Sequence, residues 1–242
     1  METLRPAVSP LTAYAVIATP RSGTELLCDA LASTGLAGKP REHLRPFHQM
    51  KLRDFNYDSN CYLQHLMSEH HNASQVFGTK LISHFLREHL RSSPQLGTTL
   101  SRFRFVRLIR EDKVGQAISS MIATKLGRWH VRSSREHAIY ASQLDMLEID
   151  ITDFAAVRRN EMTLRRDELF LDGFLEVHSV SPLVISYEDL VSDARNTVSR
   201  VLDFLDIKYD QPTDISVSLK PTSSRISEIV RSQYNSGGAA KR

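Results

Sequence analysis

The stretch from Tyr14 to Gly35 constrains this chain more than any other. Tyr14-Ala15-Val16-Ile17-Ala18 is a short apolar run, the pattern of a strand buried on both faces of a parallel sheet. Thr19-Pro20-Arg21-Ser22-Gly23 interrupts it. From Thr24 to Ser33, Leu26, Leu27, Ala30 and Leu31 recur at helical spacing, and Thr34-Gly35 ends the helix. A strand, a tight loop and a helix in that order read either as an anion site or as an ordinary β–α turn with an arginine on its surface. The first-turn amides lack helical partners, and the helix dipole adds partial positive charge. Gly23 lets the backbone approach a ligand, Ser22 and Thr24 offer hydroxyls, and Arg21 offers a cationic fork. Neither G-x-x-x-x-G-K-[ST] nor G-x-G-x-x-G occurs in the chain, so the loop is neither the standard nucleoside triphosphate cradle nor the dinucleotide fingerprint.

The same alternation continues. Gln75–Lys80 reads as a second strand and Arg104–Ile109 as a third. Val114–Lys125 follows as a helix with Val114, Ala117, Ile118, Met121 and Ile122 on one face. Arg135 to about Leu175 reads as one or two charge-rich helices, Leu183–Tyr187 as a fourth strand, and Val191–Leu205 as a helix striped by Val198, Val201, Leu202 and Leu205. Strands alternating with helices imply a three-layer α/β fold, with a mostly parallel central sheet flanked by helices and a helical insertion around 126–180. One domain is expected over 1–235, with 236–242 a flexible tail.

Composition narrows the function classes. The 242 residues are 41% hydrophobic and 24% charged, which suits a globular domain that buries roughly three quarters of its unfolded surface. Two cysteines, Cys28 and Cys61, give neither a disulfide framework nor a metal-ligand spacing, so a reducing compartment is expected. A net charge of +3 falls short of a nucleic-acid binder. The crowded arginines 102, 104, 107 and 110, and again 158, 159, 165 and 166, read equally as solvated faces or as anion sites. No run approaches the ~20 apolar residues of a membrane span, so no integral membrane contact is expected. The first thirteen residues do not read as a signal peptide, so a cytoplasmic location is expected.

Three ordered blocks carry a resemblance. Pro20-Arg21-Ser22-Gly23-Thr24 with Leu26-Leu27 is similar to the 5′-phosphosulfate loop of sulfotransferases. Continued through Gly35-Leu36-Ala37-Gly38-Lys39-Pro40-Arg41-Glu42, it resembles the bacterial trehalose 2-sulfotransferase family, with one departure: Glu25 stands where that family has Thr. Arg107-Leu108-Ile109-Arg110 and Asp112-Lys113-Val114 through Ser119 form the second block, and Ser186-Tyr187-Glu188-Asp189-Leu190 the third.

The resemblance implies a P-loop-like fold, a possible homodimer, and a 3′-phosphoadenosine 5′-phosphosulfate co-substrate used without a metal. In such enzymes residues 21–25 lie at the phosphosulfate, Arg110 and Ser119 grip the 3′-phosphate, and Tyr187 lies by the adenine. Lys220 and Arg225, in a late basic stretch, are looser candidates for the 3′-phosphate. The acceptor it implies is a sugar, a glycolipid or a sugar-bearing natural product. Trp129, His130, Arg132 and Tyr140 are candidates to line the acceptor pocket.

Sulfuryl transfer needs an in-line hydroxyl, a base and neutralisation of the leaving bridging oxygen. Glu42 matches the family's carboxylate base, with His43 and His84 as alternatives. Arg21 is the candidate stabiliser of the bridging oxygen and Lys80 a helper at the sulfate. Two other classes fit a similar loop: a kinase-like phosphotransferase with an atypical phosphate loop, and a non-catalytic nucleotide-binding module.

Overall fold

A computed structural model describes residues 12–45, 53–71, 75–131, 134–209 and 225–239. They form two compact units. One comprises the described residues of Met1–Ile109 and Asp167–Ser218, the other those of Arg110–Arg166 and Leu219–Arg242.

The first unit holds a four-stranded, all-parallel sheet in the order β2-β1-β3-β4, built from β1 (Thr12–Ala18), β2 (Val76–Ile82), β3 (Arg104–Ile109) and β4 (Leu183–Ser186). The chain leaves β1 for β2 on one side and returns to β3 on the other. The strand order therefore reverses between β1 and β3, and open parallel sheets bind ligands beyond the carboxyl ends of the strands at such a point.

One face of the sheet presents Ala15, Ile17, Phe77, Leu81 and Phe105 to a buried cluster. Against it pack α2 (Ser59–Glu69), α3 (Ser83–Ser92), α4 (Gln95–Leu100) and the end of α7 (Ile151–Val177), through residues such as Leu63, Leu86, Leu96, Leu100, Leu171 and Phe174. Alternate strand residues point the other way. α1 (Thr24–Ser33) packs on β1 and on α9 (Ala194–Phe204), which itself rests on β4.

The second unit is helical. α5 (Lys113–Leu126), α6 (Ser134–Asp145), the first part of α7 and α10 (Arg225–Ala239) close around Ala117, Ile118, Met121, Ile122, Val157, Leu164 and Val230. Asp112 caps α5 by accepting from the Gly115 amide at 2.9 Å. Gly127, at φ 62°, ends that helix in the left-handed conformation.

Three differences from the sequence reading have clear causes. Tyr187 opens a short helix, α8 (Tyr187–Ser192), rather than ending β4, because the Ser186 hydroxyl caps it by accepting from Asp189 N at 2.9 Å. The expected helix over 191–205 is divided at Asp193, whose carboxylate starts α9 by accepting from Asn196 N at 2.9 Å. α10 runs to Ala239, so Ser236 and the glycines after it are helical rather than a loose tail.

Candidate functional site

The loop that leaves β1 holds two residues in the left-handed region, Arg21 at φ 62° and Gly23 at φ 87°. A non-glycine residue there stores backbone strain, which structures keep mainly at ligand-binding turns. The Ser22 hydroxyl donates to the Thr19 carbonyl at 2.9 Å and lies 3.1 Å from Thr19 Oγ1. Both residues are fully buried, so that hydroxyl shapes the loop. Gly23 occupies the N-cap of α1 and supplies no capping side chain for the first turn. Thr24 is nearly buried at the helix start.

Tyr187 joins this loop from the far end of the unit's sequence. A Cβ built on Gly23 would lie 2.5 Å from Tyr187 Cδ2, so the aromatic ring packs on the glycine backbone. Two residues singled out independently in the sequence are thereby in contact. The glycine is required twice, by its positive φ and by the ring.

The charged centre lies one strand away. Lys80 on β2 is 3% exposed, and its Nζ sits 2.6 Å from Glu25 Oε1 and 3.5 Å from Glu42 Oε2. Burial alone would push its pKa down. Cys28, Glu25 and Glu42 together outweigh that effect and hold it above its ordinary value. Cys28, buried beneath, is itself pushed up to about 12, first by burial, so its thiol stays protonated at neutral pH.

Glu42 is held in place by the backbone. Arg41 forms a parallel bridge to Thr79, and the Arg41 carbonyl accepts from Lys80 N at 2.8 Å and from Thr79 Oγ1 at 3.2 Å. Next to it, His43 Nδ1 lies 3.1 Å from Thr79 Oγ1, and its ring stacks on Phe77. His84 opens the exposed side of α3. Desolvation lowers its pKa, against the pull of Asp167 and Glu42.

The structure thus gathers Arg21, Ser22, Gly23, Thr24, Glu25, Glu42, Lys80 and Tyr187 in the first unit. Arg110 directly follows β3 and Ser119 lies in α5, both in the second unit. Lys220 and Arg132 lie outside the described residues, and Arg225 opens α10. Tyr140, a candidate lining residue, is 5% exposed and belongs to the second unit's core, while Trp129 is 40% exposed.

One residue escaped the sequence reading. Arg107 on β3 is 3% exposed and lies 3.4 Å from Asp172, while its Nε and Nη1 have no hydrogen-bond partner among the described residues. Burial lowers its pKa. Within a run of four nearby arginines, nothing in the sequence marks it as the buried one.

A loop with Arg21 and Gly23 in the left-handed region lies between a central parallel strand and a helix, with a lysine–carboxylate cluster beside it, which is an arrangement suited to an anionic group on an α/β enzyme. The Stf0 sulphotransferase family model matches residues 13–235, and the chain belongs to that family of sulfotransferases. Among solved structures it is similar to the sulfotransferase domain from the curacin biosynthetic pathway, at 16% identity over 94% of this chain and 99% of that one, with a TM-score of 0.48. It is also similar to the sulfotransferase domain from the Synechococcus PCC 7002 olefin synthase (17% identity, 99% and 98% covered, TM-score 0.43). A sulfotransferase from Alicyclobacillus acidocaldarius matches at 13% identity, with 98% and 93% covered and a TM-score of 0.47. No curated protein matches the sequence significantly. Among the described residues, no helix is long and apolar enough to cross a membrane.

Proposed function

We propose that this enzyme transfers a sulfuryl group from 3′-phosphoadenosine 5′-phosphosulfate to a hydroxyl of a carbohydrate or sugar-bearing metabolite, trehalose being one candidate. The observation that carries the reading is the placement of Glu42 3.5 Å from the Lys80 ammonium, at the strand edge shared with the loop after β1. A carboxylate and a cation at the mouth of an anion loop are what hydroxyl attack on an anionic sulfuryl group needs.

The loop after β1 receives the phosphosulfate, and the first-turn amides of α1 face its charge. Arg110 and Ser119 take the 3′-phosphate, with Lys220 and Arg225 as further contacts, and Tyr187 flanks the adenine. The acceptor oxygen attacks sulfur in line as Glu42 takes its proton. The new O–S bond forms while the bond from sulfur to the bridging oxygen breaks. The electron pair stays on that oxygen, and Arg21 neutralises it as adenosine 3′,5′-bisphosphate departs. The enzyme acts in the cytoplasm, as a homodimer.

The test is a screen of sugar and glycolipid acceptors with radiolabelled donor, run on the wild type and on Glu42→Gln. The expected result is transfer to at least one sugar, falling roughly 10²–10⁴-fold in the variant. Adenosine 3′,5′-bisphosphate at a hundred times its Kd should stabilise the fold by about 2.7 kcal/mol, whereas ATP with Mg²⁺ should not. Stabilisation by ATP–Mg²⁺ alone, or full activity in Glu42→Gln, refutes the reading.

A further inference from the structure

The Lys80 cluster contains one more carboxylate than the proposed chemistry uses. Glu25 sits on the first turn of α1, two residues beyond Gly23, where a negative charge opposes an incoming phosphosulfate. It does not stand alone there: its Oε1 holds the Lys80 ammonium at 2.6 Å, 0.9 Å closer (3.5 − 2.6) than Glu42 holds it. Lys80 is 3% exposed, Glu42 13% and Glu25 26%, so the ammonium has little water around it and depends on these carboxylates.

We infer that Glu25 is a positioning residue that holds Lys80 off the base; the inference rests on the proposed role of Glu42. A buried ammonium must be compensated. With Glu25 carrying the close contact, Glu42 keeps a looser one, and its oxygens remain able to accept the acceptor's proton. Without Glu25, Lys80 has Glu42 as its remaining carboxylate partner in the cluster and closes on it. The base is then tied up and displaced by a fraction of an ångström, a misplacement of the kind that slows the chemical step while leaving donor binding intact. The same contact reassigns Glu25. Its Oε1 is engaged by Lys80, and Lys80 serves the two carboxylates before it can serve a sulfate.

The experiment is a cycle of wild type, Glu25→Gln, Lys80→Met and the double variant. It reads kcat, donor KM, adenosine 3′,5′-bisphosphate Kd and Tm. Glu25→Gln is expected to lower kcat by up to about a hundredfold with donor KM and bisphosphate Kd changed less than about twofold. In the Lys80→Met background the same substitution should change kcat little, and the double variant's Tm should fall by less than the sum of the single losses. A raised donor KM in Glu25→Gln, or losses that multiply in the double variant, overturns the inference. If the wild type binds no bisphosphate and transfers to no acceptor, the proposed function fails instead, and the Tm cycle still decides whether Glu25 holds Lys80. Should Glu25→Gln alone fail to fold, a double variant that folds supports the inference. A double variant that also fails, where Lys80→Met folds, refutes it.

Discussion

Gly23→Ala tests the contact that joins the two ends of the first unit. The new methyl would sit 2.5 Å from Tyr187 Cδ2 and 3.0 Å from Cε2, well inside van der Waals contact. It would also force alanine to φ +87°. The left-handed backbone costs about 1–2 kcal/mol, and pushing a partly buried ring aside about 1–3 kcal/mol. The sum, about 3 kcal/mol, lowers the Tm of a chain this size by roughly 6–12 °C. The two contributions separate in a cycle with Tyr187→Ala. Once the ring is gone, Gly23→Ala should cost only the backbone share, leaving a coupling of about 1–3 kcal/mol between the sites. Thermal unfolding of the four proteins, with and without adenosine 3′,5′-bisphosphate, measures it. Additivity within about 0.5 kcal/mol would show that the ring does not rest on the loop, and the assembly of this site would need another explanation.

Two further outcomes follow from buried charge and from capping. The Cys28 thiol is raised from 9.0 to about 12, so its contribution to stability is complete below pH 9 and is lost as pH rises through 12. Over three pH units this amounts to about 4 kcal/mol, and urea unfolding between pH 8 and 11 should show a shallower alkaline loss in Cys28→Ala than in the wild type; equal slopes would refute the assignment. Asp112→Ala removes both the cap of α5 and the carboxylate that Arg231 of α10 grips with two nitrogens. The cap is worth about 1 kcal/mol and the half-exposed ion pair less, so global stability should drop modestly while protease cleavage within 225–239 rises clearly.

Much of the strand, loop and helix around Gly23 was legible because it is local. The apolar run, the loop and the helix stripe lie within 25 residues of one another, and α1 spans Thr24–Ser33 as the spacing predicts. β3 likewise occupies Arg104–Ile109. What escaped was of two kinds. α3 follows β2 with no intervening loop, and its polar sequence SHFLREHLRS hides the buried Leu86 and His89. α2, α4 and α10 carry similarly thin apolar stripes. The second kind is pairing at a distance. Glu25 stands in the sequence as a departure with no visible cause, because its partner Lys80 lies 55 residues downstream. Only the register of β1 on β2, Val16 opposite Lys80, brings the ammonium to it.

The single bridge between Arg41 and Thr79 has a consequence of its own. β2 is an outer strand, and without this contact its amide row would lie open along the rim. By borrowing one rung of that rim, the segment carrying Glu42 takes its coordinates from the same ladder that ends in the loop after β1. Glu42 and that loop are therefore surveyed from one baseline. The spacing between Glu42 and the loop after β1 is thereby set by the ladder of β1 and β2.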